Sequence, residues 1–338
     1  MEPRLRSATE NDKMKILVIQ TAFLGDAVLV TSILEKLHAR YPKACLDLVV
    51  RKGNDGLFNE HPFLNELHVW DKSKGKTRAL FRLIRSLRRT QYDHIINAQR
   101  FFSTGLMTVL AHGTEKVGYN KNPLSFLYSK KIKHVIGDGR HEVERLNELI
   151  THLTDDTRPL PRLYPTKKDR DTVSELISGV SSYVCIAPAS VWFTKQWPAE
   201  KWIELIDQLP AERTVYLIGA PSDVALCERI TKEAKRGTVL AGKLSLLSTA
   251  ALMEKAQMNY VNDSAPLHIA SAMNAPVTVV FCSTVPAFGF GPLRDNGRTV
   301  ETKVELNCRP CGLHGYKQCP EEHFNCALKV DVVRVIQG

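Results

Sequence analysis

The sequence predicts an α/β protein built as two Rossmann-like, doubly wound domains facing across a cleft, and three observations carry that prediction. The chain has 338 residues, more than one hydrophobic core usually holds, so two domains of about 150 residues are expected. Short apolar runs alternate with helical periodicity in two successive series, separated by the proline-rich stretch Arg158-Pro159-Leu160-Pro161. Finally, Val261-Asn262-Asp263-Ser264-Ala265-Pro266-Leu267-His268 compresses a strand end, a tight loop and a helix start into one short segment. In open α/β sheets such junctions border the crevice outside the strand ends.

Residues 1–13 are polar, lack an apolar stretch and are expected to be a disordered extension. The first domain, 14–165, opens with a strand at 16–19, places Gly25-Asp26 in the loop after it, and continues with a helix at 27–40 that ends before Tyr41-Pro42. Further strands follow at 46–50, 67–70 and 94–97. The second domain, 166–338, starts with a strand at 183–186, then a loop, a helix at 198–209, a strand at 215–218, the loop Gly219-Ala220-Pro221-Ser222-Asp223 and another helix. Residues 257–261 form a short strand, Ser264 is placed to cap the next turn, and Pro266 suits a first helical position. The apolar helix 267–273 is stopped by Asn274 and Pro276, and a strand at 277–281 comes next. A strand-helix-strand unit of this kind is right-handed and parallel, and it aims the free N–H groups of its helix beyond the strand ends. Diphosphate is a natural occupant of such a place.

Hydrophobic residues make up 43% of the chain, enough for two packed cores. No run of about 18 uncharged apolar residues occurs, so neither a spanning helix nor a cleaved signal is expected, and the location should be cytoplasmic. The formal net charge of +10 is concentrated in Lys72, Lys74, Lys76, Arg78, Arg82, Arg85, Arg88 and Arg89, interleaved with Leu80, Leu83, Ile84 and Leu87. This is an amphipathic basic helix preceded by a basic loop. It is either a solvated face or a docking surface for anionic lipid or a phosphorylated acceptor. Nucleic acid is not an expected partner, because no recognised binding signature accompanies the charge.

The eight cysteines divide unevenly: Cys45, Cys185, Cys227 and Cys282 read as small core residues, whereas Cys308, Cys311, Cys319 and Cys326 cluster in the tail 308–326. Their C-x2-C-x7-C-x6-C spacing offers enough thiols for a structural zinc site, with His314 and His323 as alternative ligands. Reduced thiols or a pair of disulfides are the competing states. No catalytic metal is expected.

The order of Gly25-Asp26, Lys195-Gln196-Trp197-Pro198, Asp263-Ser264-Ala265-Pro266-Leu267-His268 and Gly291-Pro292 resembles the ADP-heptose:lipopolysaccharide heptosyltransferases, glycosyltransferase family 9. The likeness runs from about Met14 to the C-terminus and includes Lys116-Val117-Gly118-Tyr119 and His141-Glu142-Val143-Glu144-Arg145. The cysteine-bearing tail is similar to that of the second-heptose transferases. This resemblance implies the two-domain GT-B architecture and inverting transfer with no metal cofactor. It further implies an ADP-sugar donor on the C-terminal half, a lipopolysaccharide-core or related lipid-linked saccharide acceptor on the N-terminal half, and work peripheral to the inner membrane.

Attack of an acceptor hydroxyl on an anomeric carbon needs a base on the acceptor side and charge stabilisation for the leaving diphosphate. Asp26 suits the first role and matches the aspartate to which the resemblance assigns it; the alternative is a cap for the helix from Ala27. Gly25 and Arg100 are the acceptor-binding candidates. Lys195 offers a point charge for phosphate, Thr194 a hydroxyl, and His268 a ring donor near its helix start, unless that ring bonds to nearby backbone. Ser264 and the N–H groups of Ala265 and Leu267 complete the expected cradle. Asp263 either orders this loop or reaches the nucleotide, and Asp223 either accepts from a ribose hydroxyl or caps its helix. The alternative functions are a nucleotide-sugar epimerase or hydrolase of the same fold and a non-catalytic sugar-nucleotide-binding protein; Asp26, Lys195 and His268 together favour activity.

Overall fold

The structure, a computed structural model, describes residues 13–337, so all but Lys13 of the expected disordered extension lies outside the described residues. The first half carries β1 (Lys15–Ile19), β2 (Cys45–Arg51), β3 (Leu64–Trp70), β4 (Tyr92–Asn97), β5 (Gly113–Tyr119) and β6 (Lys130–Ile132) in one sheet of order β3-β2-β1-β4-β5-β6. The second carries β7 (Tyr183–Ala187), β8 (Thr214–Leu217), β9 (Thr238–Val239), β10 (Met258–Asn262), β11 (Val277–Phe281) and β12 (Gly297–Glu301) in the order β12-β11-β10-β7-β8-β9. Every pairing is parallel. Helices cover both faces, so β7 and β11 are buried along their whole length and read as unbroken apolar runs. Each sheet reverses its strand order at the centre, and the crevice outside those carboxyl ends is where ligands bind in open α/β sheets.

The helices are α1 (Leu24–Leu29), α2 (Thr31–Arg40), α3 (Lys76–Leu87), α4 (Phe102–Leu110) and α5 (Glu142–Asn147) in the first half. The second half has α6 (Lys167–Leu176), α7 (Ala199–Gln208), α8 (Val224–Ala234), α9 (Leu246–Lys255), α10 (Ala265–Ala272), α11 (Asn325–Leu328) and α12 (Val332–Gln337). The single helix expected at 27–40 starts earlier and is interrupted at Val30, so Gly25 and Asp26 lie in the first turn of α1 and not in a loop. The hydroxyls of Thr31 and Ser32 bond back to the carbonyls of Val28 and Leu29 at 2.7 Å each, a pattern that bends helices. Pro266 is the second residue of α10, after Ala265, and tolerates the position because first-turn N–H groups lack helical partners anyway. Ser264 stands at the N-cap without a capping bond. On α3 the apolar face of Ala79, Leu80, Leu83, Ile84 and Leu87 is buried, leaving Arg78, Arg82, Arg85, Arg88, Arg89 and Phe81 exposed.

One continuous apolar core joins the halves, running from Val28 and Leu29 of α1 through Val143 and Leu146 to Leu267 and Ala270 of α10. Contact between α1 and α10 requires glycine at 25, since a Cβ there would lie 2.7 Å from Cδ2 of His268. A second junction is polar. Arg145 is fully buried, and its guanidinium donates at 2.7 Å to Glu142 and to the carbonyls of Arg140 and Phe288. The N–H of Glu142 donates to the Gly289 carbonyl at 2.8 Å, and His141 Nε2 lies 3.0 Å from the Gly291 carbonyl. Gly289 adopts φ +88°, and a Cβ there would fall 2.2 Å from the Arg140 carbonyl oxygen. The Gly291-Pro292 segment therefore docks one half onto the other. The connection between them is strapped along α2: Lys36 bonds to the carbonyls of Asp155 and Thr157, and Tyr164 donates to Glu35.

Breaking a buried, fully paired ion leaves its partner unpaired in low dielectric. Arg145→Met is expected to lower stability by about 3–5 kcal/mol in urea denaturation. Removing the exposed, solvent-screened Lys167–Asp171 pair should have a far smaller effect. Equal effects would show that the Arg145 junction contributes nothing special.

Candidate active site

Asp26 sits just past the carboxyl end of β1, in the first turn of α1, half-buried beside the seam between the halves. Burial is the largest influence on its carboxyl and Glu142's negative charge adds to it, raising it to about 6 against the pull of backbone N–H groups at Asp26 and Phe23 and of the Arg100 guanidinium. Phe23 stands at the N-cap, and Asp26, in the first turn of α1, accepts from the backbone N–H groups of Phe23 and Asp26, so its carboxylate helps to cap the helix and also suits the helix dipole. Arg100 follows β4 on the neighbouring loop. Gln20 and Gln99 hydrogen-bond to each other and so tie the ends of β1 and β4 together, a link that sequence reasoning missed because two glutamines carry no spacing signal.

Across the seam, Lys195 Nζ lies 2.7 Å from Asp263 Oδ2, and the same carboxylate accepts the Thr284 hydroxyl at 2.5 Å. Asp263 therefore holds Lys195 and the loop, and its carboxylate is committed there, not to a nucleotide. The adjacent Asn262 is fully buried; it donates to the Pro188 carbonyl at 2.7 Å and accepts from the Trp197 N–H at 3.0 Å. Asn262-Asp263 thus fixes Lys195-Gln196-Trp197 in place, which explains why the two motifs occur together.

His268 is buried at the start of α10. Burial foremost, then the charge of Lys195, pushes its imidazole down to about 4 against the pull of Asp263 and Glu142, so the ring is neutral at pH 7. Its Nδ1 is buried without a partner, which excludes the alternative of a backbone-bonded ring nitrogen at that atom. The Leu267 N–H is spent on the Ser264 carbonyl at 3.1 Å, so Leu267 drops out of the expected cradle. Ser264 and Ala265 remain at the helix start, where N–H groups are turned outward. Gly25, expected at the acceptor, is the packing partner of the His268 ring.

Two further expectations are corrected. The Thr194 hydroxyl is buried and accepts from the Tyr316 N–H at 2.7 Å and from Ser283 Oγ at 3.0 Å, so it anchors the tail and does not face a phosphate. Asp223 turns its carboxylate onto its own loop, accepting from the Ala220 N–H at 2.8 Å and the Ser222 hydroxyl at 3.0 Å.

The tail lies against the carboxyl ends of β7 and β11. Arg309 donates to the carbonyls of Cys282 and Thr284 at 2.7 Å each, and the Cys311 N–H donates to the Ser283 carbonyl at 2.8 Å. Gly315 has φ +77°, and a Cβ there would crowd Thr194 Oγ1 at 2.8 Å and Lys195 Cγ at 3.1 Å. This packing brings His314 into the fields of Lys195, Arg100 and Asp263; burial is the main cause of its lowered pKa. His314 thus stands near Lys195, Asp263 and Arg100, a placement that its reading as an alternative metal ligand did not anticipate. Cys308, Cys311, Cys319 and Cys326 are all free thiols. Cys308 Sγ lies 3.9 Å from His323 Nε2, but among the described residues no three tail ligand atoms gather within 4.8 Å. The expected tetrahedral zinc set is not assembled. Cys185, Cys227 and Cys282 are buried, as core residues should be.

Residues 80–323 match the sequence profile of Glycosyltransferase family 9 (heptosyltransferase). The chain is 30% identical over 284 residues to lipopolysaccharide heptosyltransferase 3 of Escherichia coli K12, covering 78% of this chain and 81% of that protein. A crystal structure of a family 9 glycosyl transferase from Veillonella parvula superposes with a TM-score of 0.84 at 21% identity, covering 98% of this chain and 97% of that one. E. coli heptosyltransferase WaaC with ADP superposes with a TM-score of 0.69 at 23% identity, covering 85% and 92%.

The field at Asp26 can be read directly. In carbon NMR of selectively labelled aspartate, its carboxyl should titrate near 6, and Arg100→Gln should move it higher by removing a charge that favours ionisation. Titration near the ordinary aspartate value of about 4 would contradict the enclosed position.

Proposed function

The chain belongs to glycosyltransferase family 9, and from that premise we propose that it moves a heptose or similar sugar from an ADP-sugar to a lipid-linked core saccharide, inverting the anomeric carbon. The observation that carries this reading is the meeting of α1, which holds an Asp26 carboxyl raised to about 6, with the start of α10 on the opposite half, where His268 packs against Gly25 and feels the charge of Lys195. The N-terminal half, with Arg100 beside Asp26, binds the acceptor; the C-terminal half holds the donor. The E. coli relative solved with ADP supports the choice of nucleotide.

Asp26 is ionised at pH 7, yet it is a stronger base than an ordinary carboxylate. It takes the proton of the acceptor hydroxyl as that oxygen attacks the anomeric carbon from the face opposite the diphosphate. The sugar–oxygen bond breaks, and its electron pair leaves on the ADP oxygen. Lys195 and the outward N–H groups of Ser264 and Ala265 meet the growing charge, so this reading assigns no step to a metal. Neutral His268, in contact with both helices, lines the path between base and leaving group.

The exposed basic face of α3 belongs to the acceptor-binding half. We place the enzyme at an anionic membrane surface on the cytoplasmic side, held by Arg78, Arg82, Arg85, Arg88 and Arg89 around the exposed Phe81. Among the described residues no helix is long and apolar enough to cross a membrane.

Asp26→Asn should preserve donor binding while slowing turnover at least about 100-fold, and wild-type kcat/KM should fall as pH drops below about 6. Because the folded pKa is raised, ionising Asp26 costs stability as pH rises from the ordinary value of 3.8 to about 6, and the full cost is present above that. The asparagine variant should therefore unfold no earlier than wild type at pH 8. Turnover within a few-fold of wild type would remove Asp26 from the mechanism.

Replacing Arg82, Arg85, Arg88 and Arg89 with Gln should reduce sedimentation with anionic vesicles while sparing transfer to a short soluble acceptor. Wild-type protein that ignores such vesicles at low salt would leave α3 as a solvated face only.

A further inference from the structure

We propose that His94, Glu115 and His152 form a binding site for a divalent transition-metal ion of the zinc class, remote from the transfer site. His94 and Glu115 are register partners on β4 and β5, each the third residue of its strand, and therefore lie toward the end of the sheet opposite the cleft. His152 reaches them from the turn after α5. One carboxylate oxygen, Glu115 Oε2, lies 2.8 Å from His94 Nδ1 and 3.0 Å from His152 Nε2, and all three ligand atoms fall within 4.8 Å of one another.

Zinc binds histidine nitrogen and carboxylate oxygen at about 2.0–2.2 Å, which at a tetrahedral angle separates neighbouring ligand atoms by roughly 3.3 Å. Lengthening the two Glu115 contacts by a few tenths of an ångström, with the two ring nitrogens, already within 4.8 Å, brought to a like separation, turns the triad into three corners of such a site. Two imidazoles and one carboxylate are a known zinc ligand set that leaves a position for water. The side chains keep 18%, 30% and 13% of their surface in solvent for His94, Glu115 and His152, so an ion can enter and retain that water.

The other cluster of candidate ligands among the described residues, Asp47-Glu66-His68, has two carboxylates and one histidine and lacks the same freedom. Asp47 already accepts from Asn65 and Tyr92 at 2.8 Å each, and His68 Nε2 stands 3.9 Å away. Lys130 on β6 is the nearby cation whose field falls on His152. An ion in the triad would cross-link β4, β5 and the chain leaving α5, stiffening the first half without touching the acceptor.

The test is Zn2+ binding to the full chain by equilibrium dialysis, with Co2+ absorption identifying the ligands. One equivalent should bind and should weaken at least about tenfold in Glu115→Gln and in the double variant His94→Gln/His152→Gln. Lys130→Gln should tighten it by removing a repelling charge. Replacing Cys308, Cys311, Cys319 and Cys326 with Ser should leave this equivalent in place. If that variant does not fold, Co2+ in wild type decides: weak visible bands that vanish in Glu115→Gln support the triad, whereas intense thiolate bands alone overturn it. Equal Zn2+ affinity in wild type and Glu115→Gln would also overturn it.

Discussion

The missing side chain at residue 25 is the constraint on which the rest of the structure depends. It lets the first turn of α1 meet the first turn of α10 through the edge of His268, and that contact closes the seam between two otherwise separate sheets. Burial there penalises the charged form of any titratable group. The same cause raises the Asp26 carboxyl to about 6 and lowers the His268 imidazole to about 4, so both shift toward neutrality. A close-packed seam therefore shifts both groups through one physical cause.

Glu142 links this tuning to the other inter-half junction. Its carboxylate accepts from Arg145 at 2.7 Å and its N–H binds the Gly289 carbonyl at 2.8 Å, so it is held in place by both halves at once. Its charge also reaches Asp26 and His268, in each case favouring protonation. Burial alone would leave Glu142 hard to ionise, but His134 and Arg145 outweigh that cost and hold its pKa below the usual value. The docking of the 286–291 loop and the basicity of Asp26 thus share one charged group, and a shift between the halves alters both.

The alternation of strands and helices in two series was legible because parallel strands covered on both faces are apolar throughout, as in β7 and β11. Strands β5 and β6 were missed since Gly113-Thr114-Glu115-Lys116 and Lys130-Lys131 are polar near the edge of the sheet. The motifs singled out residues that the fold gathers along the seam, but several side chains do other work than their types suggest. Leu267 spends its N–H within its own turn, Asp223 orders its own loop, and Thr194 is taken up by Tyr316 and Ser283. Those partners are set by tertiary packing, which local spacing does not encode. The pairing of Lys195 with Asp263 was invisible for the same reason: they are far apart in sequence and meet only because Asn262 binds both Pro188 and Trp197.

The tail gains a purpose that does not depend on a metal. Arg309 grips the carbonyls after β11, Cys311 adds a backbone bond, and Tyr316 binds Thr194 on both its N–H and its carbonyl. These contacts fall on either side of Lys195, and Gly315 fits against the stem of that lysine only because it has no Cβ. The tail therefore forms a wall that keeps Lys195 largely out of water, with 16% of its side chain exposed. In that setting the Lys195–Asp263 pair is strengthened, and on the proposed reading a donor diphosphate competes with a carboxylate already in place. What favours the diphosphate is its greater charge together with the outward N–H groups of α10, which Asp263 does not use. On the proposed reading Asp263 keeps Thr284 as a partner when Lys195 meets the phosphate, so the carboxylate that holds the lysine also preorganises it.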